Sequence, residues 1–378
     1  MAKYLTLDDV DVQGRNVLVR SDLNVPIEDG AISDDFRLRA ALPTLERLVD
    51  SGATVTVCSH LGRPEGRDPK FSLRAVAEKM GELSSKEVGF ERGGQITVLE
   101  NTRFEEGETK NDPVYAASLA DGFDLFVQDA FGSVHRAHSS TVGVAELVKS
   151  VAGPLLDNEL TALTRFLEDP VIPYVVVLGG AKVSDKLGVI ENLLPKVDAM
   201  LIGGGMCFTL LKAKGIEVGT SLVEEDMVDS VRALLDGPEG PKVILPSDVI
   251  VASEFAEDAE HRQVYAKDIP SDWIGLDIGK ETAMLFESVI RTAETVFWNG
   301  PMGVFEWEAF RAGTEVIARA VASTSAFTAV GGGDSVAALR QMGLEDGVSH
   351  VSTGGGAGLE FLEGRVLPGV QVLERWVS

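Results

Sequence analysis

The chain contains repeated runs of four or five apolar, largely β-branched residues that do not alternate with polar residues, such as YVVVL at 174–178. This pattern is typical of parallel strands that are covered on both faces of a sheet. Stretches with helical spacing separate the runs. One example is the four leucines from Leu38 to Leu48, which follow Ser33, a favourable N-cap residue. Strand followed by helix, repeated along the chain, predicts an α/β fold.

The sequence predicts two domains, each a mostly parallel sheet flanked by helices in a Rossmann-like arrangement and joined by a hinge helix. Gly153 and Pro154 break the chain, and leucines at helical spacing follow until Pro170. The expected division is an N-terminal domain at 1–152, a hinge helix at 153–170, a C-terminal domain at 171–358 and a tail at 359–378 that packs back on the first domain.

The charge balance excludes several classes of partner. The chain has 34 basic and 59 acidic residues and a formal net charge of −25, which argues against nucleic acid or an anionic membrane as a partner. No segment approaches the ~20 apolar residues of a membrane span, and the start has no apolar secretory core. We therefore expect a soluble cytoplasmic protein in which Cys58 and Cys207 are buried free thiols. The acidity suits either adaptation to high salt or simple solubility.

In the first half of the chain, the apolar runs end in segments that carry arginine or histidine. These segments are VLVRSDLNVP at 17–26, VTVCSHLGRP at 55–64, ITVLENTRF at 96–104 and LFVQDAFGSVHRAH at 125–138. Since ligands bind at the carboxyl ends of parallel strands, several guanidinium groups are expected to converge there on a small polyanion. The candidates are Arg37, Arg63, Arg103 and Arg136. Each of them could instead form an ordinary surface ion pair.

Four other polar side chains in these segments have two interpretations each. Asp22 and Asn24 suit either the hydroxyl groups of a substrate or the turn before Pro26. His60 and His135 either bind phosphate or cap loops, and no partner motif supports a catalytic base.

In the second half, comparable runs end in glycines that make backbone N–H groups available to a ligand. The segments are YVVVLGGAKVSDK at 174–186, MLIGGGM at 200–206, VFWNGPMGVFE at 296–306, FTAVGGGDS at 327–335 and VSTGGGAG at 351–358. Glycines that lead into a helix form a cradle for phosphate. The spacing of Lys182 and Lys186 predicts that both ammonium groups lie on one helix face beside this cradle.

The triple glycine at 331–333 precedes Asp334, which has two compatible roles. It either holds Mg²⁺ that bridges phosphate oxygens or caps the following helix. The glycines at 354–356 repeat the arrangement. The sequence contains neither a Walker A motif nor a Gly-x-Gly-x-x-Gly after a strand. The absence of the second motif argues against a nicotinamide-dependent dehydrogenase.

Taken together, these segments closely resemble the phosphoglycerate kinase family over nearly the whole chain. The matching motifs, in order, are SDLNVP, HLGRP, ENTRF, DAFGSVHRAHSS, GGAKVSDK, GGGMCFT, WNGPMGVFEWEAF, GGGDS and STGGGAGLEFLEG. DAFGSVHRAHSS and WNGPMGVFEWEAF are long and specific. The chain departs from the family pattern at Ser335, where Thr is frequent, and at Gly358, where Ser is usual.

The resemblance implies a reversible, Mg²⁺-dependent transfer of a phosphoryl group between 1,3-bisphosphoglycerate and ADP, giving 3-phosphoglycerate and ATP in glycolysis and gluconeogenesis. It implies that the first domain binds the phosphoglycerate, that the second binds MgADP or MgATP, and that the enzyme is a monomer. The alternative is a catalytically inactive nucleotide-binding scaffold of the same fold.

The resemblance also implies roles for individual residues. The implied catalytic residues are Arg37, Lys182 and Lys186, with Arg37 and Lys182 flanking the phosphoryl group in flight. The implied phosphoglycerate-binding residues are Asp22, Asn24, Arg37, His60, Arg63, Arg103, His135 and Arg136. The implied nucleotide-binding residues are Lys182, Lys186, Gly205, Gly275, Asn299, Glu306, Gly332, Gly333, Asp334 and Ser335. Among these, Glu306, Asn299 and Gly275 resemble ribose, phosphate and base-side contacts, and Asp334 is the metal ligand. Gly354, Gly355 and Gly356 correspond to the loop at the transferring phosphate.

Overall fold

The computed structural model describes residues 4–28 and 30–377 of the chain. These residues form two compact units. The first comprises the chain up to Thr161 together with the segment from Val366 onward, and the second is Ala162–Arg365.

The first unit is built on a seven-stranded sheet. The strands of its described residues are β1 (Asn16–Arg20), β2 (Ile27–Glu28), β3 (Ala31–Ile32), β4 (Thr54–Cys58), β5 (Val88–Phe90), β6 (Arg92–Gly94), β7 (Ile96–Val98), β8 (Leu125–Gln128) and β9 (Ser150–Ala152). The sheet has the order β6-β5-β7-β4-β1-β8-β9. Every pairing in it is parallel except that of β5 with β6. Strands β2 and β3 form a separate antiparallel hairpin.

The second unit is built on two sheets. The strands of its described residues are β10 (Tyr174–Leu178), β11 (Ala199–Ile202), β12 (Val243–Ile244), β13 (Asp248–Ala252), β14 (His261–Tyr265), β15 (Ile274–Ile278), β16 (Thr295–Asn299), β17 (Phe327–Gly331) and β18 (His350–Val351). A parallel sheet has the order β12-β11-β10-β16-β17-β18. The other three strands form an antiparallel sheet, β14-β13-β15.

Helices follow most of the parallel strands. Those of the described residues are α1 (Phe36–Asp50), α2 (Arg74–Leu83), α3 (Pro113–Ala120), α4 (Val144–Leu147), α5 (Pro154–Leu167), α6 (Leu187–Leu193), α7 (Met206–Ala213), α8 (Val228–Asp236), α9 (Lys280–Arg291), α10 (Ala312–Ser323), α11 (Gly333–Gln341), α12 (Gly356–Leu362) and α13 (Pro368–Gln371). Within the described ranges, no helix has the length and apolar character needed to cross a membrane.

Burial of the central strands confirms the α/β fold predicted from the apolar runs. All five residues of β10 are buried, as are all four of β8. In the first unit, Val17 and Val19 of β1 belong to the same apolar core as Leu38 of α1. A strand without an exposed face must be covered by helices on both sides, which accounts for the missing polar alternation.

Helix α1 begins later than Ser33, so the predicted N-cap is wrong. Its N-cap residue is Asp35, and the N–H of Phe36 donates to Asp34 Oδ1 at 2.8 Å. Asp34 and Asp35, directly before the first turn, therefore take the capping role that was expected of Ser33.

Helix α5 contains the division between the two units, which falls after Thr161. The final segment returns to the first unit: Gly369 N–H donates to the Val134 carbonyl at 2.8 Å, and Trp376 Nε1 donates to the Ala145 carbonyl at 2.9 Å. Helix α12 belongs to the second unit.

Candidate functional site

The candidate site of the first unit lies at the carboxyl ends of β1, β4 and β8. Strand β1 has β4 on one side and β8 on the other. The chain fills the β4 side of the sheet before it crosses to β8, so β1 and β8 flank a topological switch point. Such a point leaves a crevice for a ligand at the carboxyl edge of a parallel sheet.

Asp22, two residues beyond β1, forms an ion pair with Arg37 in the first turn of α1. Burial disfavours a charge on Asp22, but Arg37 and the neighbouring cations outweigh burial and hold the pKa of this carboxyl below its usual value. The Asp22 side chain is 13% exposed and that of Arg37 is 32% exposed. The guanidinium is therefore oriented by a buried partner while part of it remains accessible to a ligand.

Gly62 connects two other predicted site residues through its backbone. Its N–H donates to Asn24 Oδ1 at 2.8 Å, and its carbonyl accepts from the Arg103 guanidinium. A Cβ atom on Gly62 would lie 2.4 Å from the ring of Phe71, and its φ is +61°. Only glycine fits this position without strain. The glycine of the HLGRP segment thus fixes the positions of Asn24 and Arg103 relative to one another.

His60 is buried, and its electrostatic environment keeps it neutral. Burial and then the Arg20 guanidinium lower the pKa of His60 well below its ordinary value. Its Nδ1 lies 3.0 Å from the Arg20 Nη2 atom. Because arginine only donates hydrogen bonds, Nδ1 must accept, which assigns the ring proton to Nε2. His60 can therefore donate a hydrogen bond to a ligand oxygen, and it is not protonated enough to act as a cation.

Three of the four predicted arginines line a single cavity of about 590 Å³. Its charged and histidine residues are Arg63, Arg103, Arg136, Lys110 and His138 together with Glu65, Glu105 and Glu106. Burial, followed by repulsion from Arg20 and Arg136, lowers the pKa of Arg103 to about 10. Cations that repel one another in a partly buried cavity are stabilised when an anion enters.

Arg20 lies at the centre of this cluster, and sequence reasoning missed it. It is 1% exposed, its Nε donates to Ser140 Oγ at 2.9 Å, and Nη2 donates to Ser133 Oγ at 3.4 Å. Ser140 Oγ in turn donates to Glu108 Oε1 at 2.6 Å, and Glu108 is fully buried. The sequence did contain a signal, because an arginine at the end of the buried run VLVR must have polar partners inside the fold.

His135 lies one residue before Arg136 in the turn after the 3₁₀ helix Phe131–Ser133, and it is half-buried. The sequence-predicted residues of the first unit thus lie in the segments that follow β1, β4, β7 and β8, except Arg37, which lies in the first turn of α1. Asn24 lines a second cavity with Gly62 and Phe71, which does not include the three arginines.

The candidate site of the second unit lies at the switch point between β10 and β16. The chain pairs β10 with β11 and β12 on one side and continues through β16 to β17 and β18 on the other. Gly179 and Gly180 follow β10, and Gly300 follows β16. The amide of Gly180 donates to the carbonyl of Pro301 at 2.9 Å, which ties the two loops together.

Lys186 is buried between these loops and donates all three of its hydrogen bonds to them. Its Nζ lies 2.8 Å from the Gly179 carbonyl, 2.9 Å from the Asn299 carbonyl and 2.6 Å from Asn299 Oδ1. Burial lowers the pKa of Lys186 to about 8, although Asp334 and Asp185 favour its charge. In this structure Lys186 fixes the loops that surround the site.

The two lysines do not share a helix face, so that prediction is wrong. Helix α6 begins only at Leu187, and residues 181–186 form bends and a turn in which Lys186 N–H donates to the Val183 carbonyl at 3.0 Å. The turn directs Lys186 inward, whereas Lys182 is exposed. The four-residue spacing of the two lysines therefore does not place them on one face, because the loop that begins at Gly179 continues through Lys186.

All three triple glycines lie between the end of a parallel strand and the start of a helix. Gly205 is the N-cap of α7, Gly332 of α11 and Gly355 of α12. Gly332 has φ +89° and Gly355 has φ +51°, conformations that favour glycine. Helices α7, α11 and α12 therefore begin at the same sheet edge, and a helix N-terminus suits an anion. In α7 the N–H of Met206 already donates to the Gly180 carbonyl at 3.0 Å.

Asp334 is exposed in the first turn of α11, and Gly332 occupies the cap position instead. The capping alternative for Asp334 is thus not realised. Ser335 is fully buried, and its hydroxyl accepts the N–H of Gly300 at 2.6 Å. Gly333 is exposed beside Asp334 at the start of the helix.

Asn299 and Gly275 are buried, whereas Glu306 is exposed in the loop after β16. Asn299 binds Lys186, and a Cβ atom on Gly332 would lie 3.1 Å from Asn299 Nδ2. Gly275 belongs to β15, where a Cβ atom would lie 2.0 Å from the ring of Phe208. Gly275 is therefore required for the packing of β15 on α7. The loop at 300–307, which follows β16, is neither helix nor strand.

Within residues 4–28 and 30–377, no group of three or more His, Cys, Asp or Glu side chains is arranged to hold a metal ion. A magnesium ion in this unit must therefore take most of its ligands from phosphate and water. This is the usual coordination of Mg²⁺ beside one or two carboxylates. The exposed carboxylate of Asp334 next to a helix N-terminus fits that arrangement.

Comparison with known proteins gave matches along nearly the whole chain. The protein-family model described as phosphoglycerate kinase matches residues 7–365. The chain is 53% identical to the phosphoglycerate kinase of Rubrobacter xylanophilus, with 97% of each chain covered. It is 51% identical to that of Thermus thermophilus, with 98% of this chain and 99% of the relative covered.

Solved structures are similar over the same length. The phosphoglycerate kinase from Coxiella burnetii has a TM-score of 0.91 and 41% identity, covering 99% of this chain and 100% of the other. The phosphoglycerate kinase from Pyrococcus horikoshii has a TM-score of 0.86 and 32% identity, covering 98% and 100%.

Proposed function

The chain belongs to the phosphoglycerate kinase family, and we propose that it catalyses the reversible, Mg²⁺-dependent transfer of a phosphoryl group from 1,3-bisphosphoglycerate to ADP. The products are 3-phosphoglycerate and ATP. The proposed enzyme is a monomeric cytoplasmic protein of glycolysis and gluconeogenesis. No observation favours the catalytically inactive alternative.

The convergence of Arg63, Arg103 and Arg136 on one cavity is the observation that carries this proposal. Arg136 and Arg63 repel the Arg103 guanidinium, and the phosphate and carboxylate groups of a phosphoglycerate would relieve this repulsion. In this proposal Asp22, Asn24, His60 and His135 orient the same ligand. Neutral His60 donates from Nε2, and the carboxylate of Asp22 accepts from a substrate hydroxyl.

The second unit is proposed to hold the nucleotide. The N-termini of helices α7, α11 and α12 supply N–H groups to the phosphates through Gly205, Gly332, Gly333 and the glycines at 354–356. Asp334 is the proposed ligand of the magnesium ion, which neutralises charge on the phosphate oxygens. Asn299 and Ser335 hold the loops in place. Glu306 is proposed to contact the ribose of the nucleotide, and Gly275 is proposed to lie beside its base.

The chemistry requires positioning and charge neutralisation rather than a nucleophilic side chain. A carboxylate oxygen of 3-phosphoglycerate and the terminal oxygen of ADP are themselves the attacking and leaving groups. Arg37 and Lys182 are the proposed cations on the phosphoryl group in flight, where charge develops and water must be excluded. Lys186 is proposed to contribute by fixing the loops at 179–180 and 299–300. Helix α5 is the proposed hinge, since direct transfer needs both ligands brought together.

The test is conversion of MgATP to ADP by the purified protein in the presence of 3-phosphoglycerate. Reactions without 3-phosphoglycerate and with EDTA serve as controls. We expect turnover that depends on both the acceptor and the metal. Nucleotide binding without acceptor-dependent turnover would favour the inactive scaffold.

A further inference from the structure

Asp277 is a buried carboxyl group in β15 that the proposed reaction does not use. It is 3% exposed, and within the described residues no lysine or arginine forms an ion pair with it. Its Oδ1 accepts the N–H of Ile278 at 2.9 Å, and its Oδ2 accepts the N–H of Gly313 at 2.8 Å. Burial raises the pKa of Asp277 to about 8, opposed by these two hydrogen bonds. A buried acidic group without a counter-charge is costly, which calls for an explanation.

The carboxyl group fills the space between three elements. A Cβ atom on Gly303, in the loop after β16, would lie 2.4 Å from Asp277 Oδ1. A Cβ atom on Gly313, in the first turn of α10, would lie at the same distance. Strand β15, the loop and the N-terminus of α10 therefore meet at this one side chain.

Gly303 determines where the loop turns toward Glu306. The N–H of Val304 donates to the Leu276 carbonyl of β15 at 2.9 Å, and the N–H of Phe305 donates to the Gly303 carbonyl at 2.9 Å. Glu306 follows directly and is exposed. Glu306 is thus three residues from Gly303, and the bond from Val304 to Leu276 holds the segment between them on β15.

The same antiparallel sheet contains a second buried carboxyl group that serves as a natural control. Asp248 in β13 is 1% exposed and accepts the N–H groups of Glu281 at 3.1 Å and Thr282 at 2.7 Å, in the first turn of α9. It also accepts from Gln263 Nε2 at 2.6 Å. Asp248 and Asp277 each bind the first turn of a helix, but only Asp277 lies against Gly303.

We propose that Asp277 is a positioning residue for the nucleotide, because it fixes Gly303 and through it Glu306. The inference rests on the proposed function, which assigns Glu306 to the nucleotide. Asp277 touches no substrate atom in this proposal and acts only through the loop.

The experiment compares four variants with the wild type: Asp277→Asn, Glu306→Ala, the double variant Asp277→Asn/Glu306→Ala, and Asp248→Asn. The dissociation constant for MgADP is measured by calorimetry, which does not depend on turnover. The KM values for MgATP and 3-phosphoglycerate and the kcat are measured separately. Thermal melting shows which variants are folded at the assay temperature.

We expect Asp277→Asn to raise the MgADP dissociation constant and the MgATP KM by roughly threefold to tenfold. The amide nitrogen cannot accept, so the N–H of Ile278 or of Gly313 loses its acceptor and the side chain must shift against Gly303. The KM for 3-phosphoglycerate should not change. Asp248→Asn should stay within about twofold of the wild type for MgADP, because its helix is not part of the loop. The double variant should bind MgADP no more weakly than Glu306→Ala alone.

The inference is overturned if Asp248→Asn and Asp277→Asn weaken MgADP equally, or if the effects of Asp277→Asn and Glu306→Ala multiply in the double variant. If Asp277→Asn does not fold, Gly303→Ala disturbs the same contact from the loop and must weaken MgADP in the same range. Wild-type protein that binds MgADP but shows no acceptor-dependent turnover would contradict the proposed function, while the binding data would still decide the role of Asp277.

Discussion

At the residue scale, the ion pair between Arg37 and Asp22 determines how Arg37 can act. A guanidinium held by a mostly buried carboxylate is already oriented before a ligand binds, so in the proposed role less side-chain entropy would be lost on contact with the phosphoryl group. This orientation is what distinguishes Arg37 from Arg39, which lies two residues further along α1 and pairs with Asp35 on the surface.

Replacing Arg37 with alanine should therefore impair turnover and leave nucleotide binding intact. We expect Arg37→Ala to lower kcat by about a hundredfold or more, because a transition-state contact is lost. The MgADP dissociation constant should stay within about twofold, since Arg37 belongs to the first unit. Steady-state kinetics and calorimetry measure the two quantities. Arg39→Ala is the matched control and should behave as the wild type; near-normal turnover in Arg37→Ala would refute its assigned role.

Replacing each of the two lysines after β10 should have a different effect on the stability of the protein. Lys186→Met leaves the Gly179 carbonyl and Asn299 Oδ1 without this donor, while the Asn299 carbonyl keeps the N–H of Gly179, so we expect the free energy of unfolding to fall by about 2–3 kcal/mol. Lys182 is exposed, so Lys182→Met should change the free energy of unfolding by less than about 0.5 kcal/mol while lowering kcat. Urea unfolding and initial rates test both statements. Equal stability losses in the two variants would contradict the assigned difference.

At the scale of secondary-structure elements, helix α5 is attached to the first unit by a buried acidic cap. Asp129 follows β8, and its Oδ1 accepts the N–H groups of Leu155 at 2.8 Å and Leu156 at 3.2 Å. A Cβ atom on Gly153 would lie 2.3 Å from the same oxygen. The helix that contains the division between the units therefore starts from a fixed point beside the substrate-side loops.

The cap should make stability depend on pH in a defined direction. Burial raises the pKa of Asp129 to about 6 from 3.8, so the folded state binds more protons than the unfolded state between these values. The contribution of Asp129 to the free energy of unfolding must then fall as the pH rises from about 4 to 6, by at most about 1.4 kcal/mol per pH unit, and stay constant above.

Asp129→Asn keeps the accepting oxygen and removes the titration. Urea unfolding at pH values from 4 to 8 should show the stability difference between wild type and Asp129→Asn decreasing up to about pH 6 and then remaining flat. A constant difference across this range would contradict the raised pKa. Gly153→Ala provides an independent test of the cap, because it displaces the carboxylate and should lower stability at every pH.

The elements themselves were largely predictable from sequence, whereas contacts between distant residues were not. Runs such as YVVVL at 174–178 and the triple glycines are local patterns, and their physical causes, burial on two faces and positive φ, act on neighbouring residues. Arg20 was missed because its partners Ser133 and Ser140 lie more than a hundred residues away in sequence.

Two errors have a local cause. The spacing of Lys182 and Lys186 predicted a shared helix face, but the turn formed by the Lys186 N–H and the Val183 carbonyl delays the helix to Leu187. The antiparallel sheet that holds Asp277 was not predicted, because its strand β14, HRQVY, is mostly polar and exposed and does not resemble the apolar runs of the parallel strands. The roles proposed for individual site residues remain predictions.

At the scale of the whole molecule, charge is distributed unevenly. The net charge is −25, yet the three arginines and Lys110 that line the cavity of the first unit outnumber its three glutamates, Glu65, Glu105 and Glu106. A chain so far from neutrality repels itself in the compact state, and salt screens this repulsion over a Debye length of about 10 Å at 0.1 M. Surface ion pairs contribute little to the free energy of unfolding, so their screening by salt should cost little stability.

The thermal midpoint should therefore rise when KCl is raised from about 0.05 M to about 0.5 M. Differential scanning calorimetry in KCl and in NaCl at equal ionic strength separates screening from a specific effect of potassium. A constant or falling midpoint would show that self-repulsion is not a significant cost. Turnover at molar KCl addresses the separate question left open by the sequence: rising activity indicates salt adaptation, and constant or falling activity favours a role in solubility.

The return of the final segment to the first unit has a consequence for biosynthesis. The ribosome releases residues in order, so the contacts of Gly369 with Val134 and of Trp376 with Ala145 can form only after Ala162–Arg365 has been made. The second unit is contiguous and can complete its sheets while translation continues. The first unit begins earlier, but the loop that contains Val134 receives its contact with Gly369 only after the whole second unit has been synthesised.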